Sequence, residues 1–462
     1  MAFLCVCGSE RSYFLQYIYI MLVEFTVENY RSIKDAQTFS MVAEATKYKR
    51  DTNTVQVSIG KDDHVQLLKS AVIFGANASG KSTFIKAFRN FKTIIMTTGR
   101  LPEGKPNIFY DPFLFEVENQ EMDTRYECVF IIENIKYRYS ISFNLYNITA
   151  EELNYYPKNV KKNLFKRIIS KKGELADDVR LAKDVKGIDL KLFPEHFKVF
   201  KNQVILSKFG SEIPDKFFNA VYSYFEAYWM IWSENNSQGI EELSRAVITG
   251  IDHQLGDDFF KQVEKLVKAA DTKIDGLLLK EEVDNGVKRR YLKHTPNNEQ
   301  RTKHLFGNHI VYKRDKVFSN YELPFIEESA GTNVLFALGA YVLVVIRLGG
   351  VVFIDELDNS LHPKVARFLV SLFNNPTINK KNAQIIFSTH EAHLIDKDMF
   401  RSDQIWFANK KEKGDTEIYS AQDFNDIRED IPFDKWYLAG KFGALPDIKD
   451  IEYIFNDDED GK

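Results

Sequence analysis

One short segment carries glycine, lysine and serine at the spacing of a phosphate-binding loop. Residues 71–86 read AVIFGANASGKSTFIK, which contains the pattern G-x-x-x-x-G-K-S. The glycines let backbone N–H groups turn inward onto a β-phosphate, the lysine adds a cation at the β and γ oxygens, and the serine hydroxyl is a ligand for Mg²⁺. The segment predicts a nucleoside triphosphate site formed by Gly75, Asn77, Ser79, Gly80, Lys81, Ser82 and Thr83.

The residues around this loop predict the elements that would hold it. The apolar run at 71–74 is typical of a buried strand, and residues 83–88 favour a helix. A strand before the loop and a helix after it are the context that separates a true phosphate loop from a chance match. Because the loop binds phosphates, the choice between ATP and GTP stays open at this point.

A second segment combines an apolar strand pattern with two carboxylates. Residues 351–356 read VVFIDE. Asp355 is placed to hold the Mg²⁺ shell through Ser82 and water, and Glu356 is placed to polarise an attacking water. The alternative, a buried strand that ends in a solvated acid pair, is weakened by the phosphate loop upstream. We therefore predict Ser82 and Asp355 as the metal residues.

Two further positions have both a functional and a structural interpretation. Ser329 and Gly331 lie just before an apolar run that favours a helix from Thr332, and a free helix N-terminus can receive a γ-phosphate. An ordinary helix cap by Ser329 or Thr332 explains the same residues. His390 follows the strand pattern IIFST, and its place at the end of a core strand favours a γ-phosphate sensor over a structural histidine.

The order of these motifs resembles the ABC-type ATPase heads of the SMC, RecF and OLD group. The loop at 75–82 is followed by ESAGT at 328–332, FIDE at 353–356 and STH at 388–390. The resemblance implies that two heads enclose two ATP molecules and that Ser329 and Gly331 of one copy complete the site of the other. It also implies Glu356 as general base and His390 as switch histidine, with Asp358 facing the partner's site. Together with Lys81 of the loop, Glu356 and His390 are the predicted catalytic residues. The signature differs from the LSGGQ form.

A larger set of runs resembles the bacterial AAA/ABC-type ATPases of abortive-infection loci, of the RloA or AbiLi kind. The set comprises MLVEFTVENYRSIKDAQTFSMVA, FGANASGKST, ESAGTNVLFAL, DELDNSLHP, FSTHEAHLID and WYLAGKFGALPDI, from Met21 to Ile448. The resemblance implies an ATPase of an anti-phage defence system, working with a separately encoded effector, often a Toprim-type nuclease. It places Asn29, Tyr30 and Arg31 near the base or ribose. Gln203 and Glu116 are the alternatives for a glutamine-loop residue.

Composition adds bounds to this hypothesis. The chain has 462 residues, 44% of them hydrophobic and 28% charged, so most of it is expected to bury a core. Its formal net charge of -4 gives no argument for or against nucleic acid. Three cysteines exclude a disulfide scaffold, and none has zinc spacing, so a reducing cytoplasm is expected. The apolar run at 335–346 is too short to cross a bilayer.

The patterns predict an α/β fold, with an ABC-type P-loop NTPase head, an N-terminal antiparallel β subdomain and a largely helical insertion. Strand patterns lie at 22–29, 113–117, 126–133, 137–144, 289–322, 351–354 and 384–388, and helical patterns at 214–279, from 332 to 348 and after Pro363. We divide the chain into a non-native or disordered leader at 1–20, with Met21 as the true start, an N-terminal ATPase lobe at 21–209, an insertion at 210–322, a C-terminal ATPase lobe at 323–450 and an acidic tail at 451–462.

Two other functions compete with the defence ATPase. A RecF-like repair ATPase would hold DNA through the basic stretch at 158–172 or the cluster Lys288, Arg289, Arg290 and Lys293, although such runs are more often solvated faces. A transporter ATPase is disfavoured by the insertion and the lack of a membrane segment. About seventy residues follow His390, too few for a Toprim nuclease domain, so nuclease activity is expected from a partner.

Overall fold

Four β-sheets and the helices packed on them form the part of the chain that the structure, a computed structural model, describes. It comprises residues 19–60, 63–168, 180–181, 199–212, 216–232, 237–251, 255–270, 273–282, 302–424, 427–428 and 431–446. Its strands are β1 (Ile20–Glu28), β2 (Gln37–Ser40), β3 (Thr54–Ile59), β4 (Asp63–Leu68), β5 (Ser70–Phe74), β6 (Thr124–Ile132), β7 (Ile135–Phe143), β8 (Ile148–Tyr156), β9 (Lys162–Ile168), β10 (Arg180–Leu181), β11 (Trp229–Trp232), β12 (Gly276–Glu282), β13 (Thr302–Lys313), β14 (Lys316–Pro324), β15 (Val351–Ile354), β16 (Gln384–Thr389), β17 (Ile405–Lys410) and β18 (Thr416–Ser420).

The helices lie mostly between and after these strands. They are α1 (Arg50–Asn53), α2 (Lys81–Thr97), α3 (Val117–Gln120), α4 (Ile205–Glu212), α5 (Lys216–Ser223), α6 (Ser237–Gly250), α7 (Gly256–Ala270), α8 (Ala330–Leu348), α9 (Pro363–Asn374) and α10 (Phe433–Leu438). A π-helical turn, Tyr224–Tyr228, joins α5 to β11. The mixture of a parallel sheet, an antiparallel sheet and a helical insertion confirms the predicted α/β fold class.

A six-stranded sheet in the order β11-β15-β16-β5-β17-β18 carries the phosphate loop. All its neighbouring strands are parallel except the last pair, β17 and β18. Successive residues of β5 point into different cores: Ile73 belongs to one hydrophobic cluster, Val72 to another. Both faces of the sheet are therefore covered, which explains why its strands read as continuous apolar runs rather than alternating ones.

Helix α2 lies between this sheet and the seven-stranded antiparallel sheet β10-β9-β8-β7-β6-β1-β2. Phe88 of α2 stacks on Phe25 of β1 and on Phe353 of β15, with both ring-centroid distances at 4.2 Å. One aromatic residue of α2 thus contacts the two sheets at once. Because the phosphate loop leads directly into α2, this packing holds the loop's last residues against both sheets.

Helix α8 packs on the opposite face of the central sheet. It has 19 residues, seven more than the apolar run at 335–346, and is the one helix among the described residues long and apolar enough to cross a membrane. However, 67% of its most apolar stretch is buried inside the protein, among residues of α9 and the central strands. It is accordingly a core helix, and its continuous apolarity reflects burial on nearly all sides.

Several strands lie within one or two residues of their predicted positions, but two predictions were wrong. Residues 113–117 form no strand. Phe113 is buried in a loop, and Val117 begins the short helix α3. Within the segment predicted as helical, Trp229–Trp232 forms β11, which pairs in parallel with β15 at the edge of the central sheet. Part of the predicted insertion at 210–322 therefore belongs to the six-stranded central sheet.

The rest of the described part of that segment is helical first and then β-rich. Helices α6 and α7 contact α8, and the three-stranded sheet β12-β13-β14 follows. The predicted cluster Lys288, Arg289, Arg290 and Lys293 lies outside the described residues, as do the acidic tail and residues 1–18. Ile20, which we assigned to the leader, pairs with Ile132 as the first residue of β1.

The basic stretch at 158–172 is not a uniform solvated face. Arg167 on β9 is 1% exposed and donates to Glu151 of β8 at 3.2 Å. The Glu151 carboxylate also accepts from the Tyr139 hydroxyl and from the backbone N–H groups of Ile205 and Leu206, which begin α4. Burial raises the pKa of Glu151, and burial lowers the pKa of Arg167. The pair therefore links the antiparallel sheet to a helix N-terminus.

Replacing Glu151 with Gln is expected to lower the free energy of unfolding by about 3–5 kcal/mol, because Arg167 would keep a buried charge without a counter-ion. Chemical denaturation of the two proteins measures the difference. Glu152→Gln is the matched control, since Glu152 is the next residue and pairs with Lys161 and Lys166 at the surface. There we expect about 0–1 kcal/mol. Equal denaturation midpoints for the two variants would contradict the role of the buried pair.

Candidate functional site

The predicted phosphate loop connects β5 to α2, and its two glycines cannot carry side chains. A Cβ at Gly75 would lie 2.4 Å from the carbonyl oxygen of Ala408, and one at Gly80 would lie 2.1 Å from Oγ1 of Thr416. Gly80 also has φ 108°, which disfavours any other residue. Strands β17 and β18 thus press on the loop from outside. The N–H groups that begin α2 are left without helical partners, as anion binding requires.

Lys81 begins α2, and its side chain lies on the loop. Its Nζ donates to the carbonyl oxygens of Gly75 at 2.7 Å and Ala76 at 2.8 Å. Burial lowers the pKa of Lys81, while the carboxylates of Glu356, Asp358 and Asp355 act in the opposite direction. The three acids are therefore close enough to influence the Lys81 charge electrostatically.

The remaining predicted loop residues differ in exposure. Asn77 is exposed, Thr83 is half-buried, and Ser79 is buried with no partner for its hydroxyl among the described residues. An unpartnered hydroxyl inside a phosphate loop is compatible with an oxyanion ligand. The backbone of Ser79 contacts β18, because its carbonyl oxygen accepts a hydrogen bond from the Thr416 hydroxyl at 3.0 Å.

The two predicted metal residues are in direct contact. The Ser82 hydroxyl donates to Oδ1 of Asp355 at 3.0 Å. The sheet order brings them together, since Ser82 follows β5 and Asp355 follows β15, with only β16 between these strands. Parallel strands end at one edge, where ligands bind in open α/β sheets. A hydroxyl and a carboxylate at this distance suit Mg²⁺, so the residues fit the predicted metal.

Ser388, at the end of β16, joins the two acids and was not predicted to have a role. Its hydroxyl donates to Oδ1 of Asp355 at 2.7 Å and accepts from the backbone N–H of Glu356 at 2.8 Å. The signal was its position in FSTH, one strand away from Asp355. Ser388 therefore orients both residues of the acid pair.

Glu356 has φ 55°, a left-handed backbone that costs a residue with a side chain of order 1 kcal/mol or more. Three hydrogen bonds hold it there: its own N–H to Ser388, the N–H of Leu357 to the carbonyl of Ser388, and the N–H of Asn359 to the carbonyl of Glu356. The Glu356 residue is exposed while Asp355 is half-buried. The turn thus directs the two consecutive carboxylates into different surroundings.

His390 and Asp358 form a contact across the same edge of the sheet. His390 Nδ1 lies 3.1 Å from Oδ2 of Asp358. The His390 side chain is 54% exposed, whereas that of Asp358 is 5% exposed. The other oxygen of Asp358 has no hydrogen-bond partner among the described residues. Asp358, which the resemblance directs toward a partner's site, thus contacts His390 of its own chain.

The Ser329 hydroxyl is the N-cap of α8. It accepts from the N–H of Thr332 at 3.1 Å, so the helix begins at Ala330 rather than at Thr332. The ordinary cap is therefore present, and Ser329 itself is exposed. A Cβ at Gly331 would lie 2.9 Å from the carbonyl oxygen of Ser360. The signature residues thus adjoin the loop after Asp355, and their role in nucleotide binding stays a prediction.

The structure separates Arg31 from the two residues before it. Asn29 is fully buried and donates to the carbonyls of residues 119 and 122, and Tyr30 is buried with its pKa raised to about 12 by burial. Both residues lie inside the protein, and their position near the base or ribose stays a prediction. The Arg31 guanidinium is half-exposed and pairs with Asp111 at 2.9 Å.

Thr416 links the Arg31 loop to the phosphate loop. Its N–H donates to the carbonyl of Ser32, and its hydroxyl lies 2.8 Å from the Ser32 hydroxyl and 3.0 Å from the Ser79 carbonyl. Thr416 was not predicted from the sequence, because residues 384 positions apart carry no common local pattern. This contact joins the loop that carries Arg31 to the phosphate loop, and the place of Arg31 near the base or ribose stays a prediction.

Gln203 is excluded as the glutamine-loop residue. Its amide nitrogen donates to the carbonyls of Gly99 and Leu101, just after α2 ends at Thr97. The 17 residues of α2 span about 25 Å, so Gln203 lies at the far end from the phosphate loop. Glu116 is held by Lys34 at 3.1 Å and Lys413 at 3.5 Å, at the β17–β18 side.

The late run WYLAGKFGALPDI also contacts the loop. The carbonyl of Ala444 accepts from the N–H of Ala76 and from the hydroxyl of Tyr437.

A cavity of about 430 Å³ lies elsewhere, between α7 and β12, and none of the predicted site residues lines it. No cluster of three metal-binding side chains occurs in the part of the chain that the structure covers. A Mg²⁺ ion held by Ser82 and Asp355 would therefore need further oxygen ligands from the nucleotide.

Two solved structures of known proteins resemble this chain weakly. An SMC head domain from Thermotoga maritima is 12% identical, with a TM-score of 0.36, covering 86% of this chain and 98% of that one. The second is the Smc head domain with an extended coiled coil bound to the C-terminal domain of ScpA, from Pyrococcus furiosus. It is 10% identical, with a TM-score of 0.36, covering 92% of this chain and 99% of that one. These scores are too low to identify a shared fold. No curated protein matches significantly.

A family match covers the site itself. The family described as "AAA domain, putative AbiEii toxin, Type IV TA system" matches residues 70–396, more than two thirds of the chain. The matched region begins at β5 and includes the phosphate loop, Ser329, the acid pair and His390. The chain therefore belongs to this family of AAA domains.

Proposed function

We propose that the protein hydrolyses ATP in the presence of Mg²⁺. The observation that carries this proposal is the chain of hydrogen bonds from Ser82 through Asp355 and Ser388 to the N–H of Glu356. It joins a phosphate loop to an oriented acid pair at one edge of the sheet. An acid pair with only a structural role would have no reason to meet the phosphate-loop serine.

The proposed mechanism assigns a separate task to each residue. Lys81 and the N–H groups that begin α2 would bind the β and γ phosphates, and Ser82 and Asp355 would hold Mg²⁺, which neutralises charge on those oxygens. Glu356 would orient and deprotonate water, since its turn holds the backbone in place and leaves the residue exposed. Asp358 would fix the ring of His390, so that the histidine's Nε2 points at the γ-phosphate.

The second part of the proposal is that two copies share each site, as a homodimer or a larger assembly. Ser329 is exposed, its hydrogen bonds stay within the start of α8, and Gly331 packs on Ser360 of its own chain. An exposed helix N-terminus of this kind is suited to an anion from outside the chain. ATP would then close two heads together, and hydrolysis would release them.

The biological role that we propose is sensing or regulation in an anti-phage, abortive-infection system in the cytoplasm. The family description, which names a putative toxin of a type IV toxin–antitoxin system, supports this class of role. The motif runs support the narrower RloA or AbiLi group. We propose a separately encoded effector as the partner, with a Toprim-type nuclease as the first candidate.

The RecF-like alternative, with direct DNA binding, remains a prediction with weaker support. Of the basic stretch at 158–172, Arg167 is buried, and Lys161 and Lys166 both pair with Glu152. Fewer cations are therefore free for phosphate contacts there than the sequence suggests.

A mixing experiment tests the shared site. We expect Ser329→Arg and Lys81→Ala each to be inactive alone. Equal amounts together should recover about a quarter of wild-type ATP turnover, because half of the symmetric pairs would be mixed and hold one intact site. Turnover is measured by phosphate release. In the control mixture, Lys86→Ala takes the place of Lys81→Ala and is combined with Ser329→Arg in equal amounts. If the mixture stays as inactive as either variant, the sites are not shared.

A further inference from the structure

The turn between β13 and β14 exposes an unusual number of apolar side chains. We call residues 312–321 the basic hairpin. Its residues Tyr312, Val317, Phe318 and Tyr321 are 59–67% exposed. Several large apolar side chains exposed on one hairpin indicate an interaction surface rather than an ordinary solvent-facing strand.

The same hairpin is positively charged at its tip. Lys313, Arg314 and Lys316 surround one acid, Asp315, so the tip has a net charge of +2. Arg314 and Asp315 both have positive φ, at 50° and 61°, as in the tight two-residue turns that match the twist of a hairpin. The charges therefore project from a short, well-defined turn.

The basic hairpin is attached directly to the signature segment. His309 of β13 lies 2.7 Å from the Glu328 carboxylate, one residue before Ser329. The absence of a side chain at Gly307 makes room for this carboxylate, because a Cβ there would lie 2.2 Å from it. The hairpin and the predicted signature residues are thus parts of one bonded unit.

A second exposed surface has the opposite charge. We call residues 108–122 the acidic loop; it contains four carboxylates and no lysine or arginine. Its exposed apolar side chains, 47–79% accessible, are Ile108, Leu114, Phe115, Val117 and Met122. Two of its acids, Glu118 and Glu121, are exposed and form no ion pair with the described residues.

The acidic loop is attached to the phosphate-loop side of the site. Asp111 pairs with Arg31, and Glu116 pairs with Lys34 and Lys413. Gly414 follows Lys413 in the turn between β17 and β18, and it packs against the ring of Phe115. Through Thr416, these segments contact Ser79. The loop therefore accompanies the phosphate-binding half of the site, as the hairpin accompanies the signature half.

We propose that the basic hairpin of one copy docks on the acidic loop of a second copy when the two heads close. This inference rests on the proposed function, in which a signature segment faces the other copy's phosphate loop. Such a pair brings together one basic, aromatic surface and one acidic, apolar surface, and two-fold symmetry repeats the contact on the other side. The net charge of +2 faces the two free acids of the loop.

A second copy explains both surfaces, whereas a nucleic acid explains only one. The basic tip with its exposed aromatic rings suits phosphates and bases. The acidic loop would repel them, and its five exposed apolar side chains would remain without a partner. Charge complementarity between two surfaces of one chain therefore favours self-association.

The test uses the full chain with Glu356→Gln, which slows hydrolysis, and measures dimer dissociation by sedimentation with saturating ATP. Adding Arg314→Glu and Lys316→Glu should weaken the dimer roughly tenfold or more, because like charges would then face each other. Adding Glu118→Lys and Glu121→Lys to that variant should restore most of the affinity. The control pair, Lys261→Glu and Lys265→Glu, reverses two exposed charges on α7 and should leave the dimer unchanged.

The outcomes separate this inference from the proposed function. A Glu356→Gln protein that stays monomeric with ATP contradicts the closed pair of heads itself. A dimer that forms normally despite the hairpin reversals overturns only the docking of hairpin on loop. That docking is also overturned if the loop reversals fail to rescue, or if the hairpin reversals abolish binding to a duplex oligonucleotide but not dimerisation.

Discussion

Replacing Glu356 with Gln is expected to reduce ATP turnover by roughly 10²–10⁴-fold, the usual contribution of a general base. The amide keeps the size of the side chain and the turn at φ 55°, but it cannot accept a proton. ATP should therefore bind and remain intact, and the protein should accumulate as a dimer. In the wild type the negative charge of Glu356 acts on the Lys81 ammonium group. Because Glu356→Gln removes that negative charge and leaves Lys81 in place, nucleotide binding should not weaken.

Phosphate release and sedimentation with and without ATP measure the two effects of Glu356→Gln. Glu391→Gln is the matched control: Glu391 lies beside His390 and accepts from the N–H of His393, a bond that an amide oxygen keeps. We expect wild-type turnover for it. Unchanged turnover in Glu356→Gln would remove this residue from the mechanism and leave the acid pair with a structural role.

Replacing Lys81 with Ala is expected to lower turnover by roughly 10²–10³-fold or more, since it deletes a preorganised positive charge at the phosphates. Nucleotide binding should weaken as well, because the lysine acts on the bound ground state and not only on the transition state. The desolvated position of the Lys81 ammonium group, close to three carboxylates, makes its charge effective there.

Binding of a fluorescent ATP analogue and phosphate release measure the effect of Lys81→Ala. Lys86→Ala, five residues further along α2, is the control and should behave as wild type. The thermal midpoint should fall little in either variant, because the Lys81 side chain donates to just two loop carbonyls among the described residues. Retained turnover in Lys81→Ala, with the control intact, would contradict the assignment of residues 75–82 as the catalytic phosphate loop.

Local patterns predicted the elements on which the site is built. The strand at 351–354 has its predicted bounds, and the phosphate loop joins β5 to α2 as expected. These segments could be identified because each carries its own signal: an apolar run, two glycines with φ that other residues avoid, or acids directly after a strand. The spacing of residues within one segment is sufficient for such signals.

The errors occurred where a segment's state depends on a distant partner. Trp229–Trp232 is a four-residue strand between helical segments, and it is a strand because β15 offers it a parallel edge. Residues 113–117 have a strand-like composition but no neighbouring strand to pair with among the described residues. Gln203 has the expected residue type, yet its hydrogen bonds are at the far end of α2. Pairing and distance are properties of the folded chain.

By itself, the sequence predicted a phosphate loop, an acid pair after a core strand and a helix capped by Ser329 or Thr332, because these depend on neighbours in the chain. Only the tertiary structure decided which residues meet. It brought Ser388 between Asp355 and Glu356, set Thr416 on Gly80, and buried Asn29 and Tyr30 while leaving Arg31 exposed. The physical reason is that these contacts follow from strand order and close packing, which link residues hundreds of positions apart.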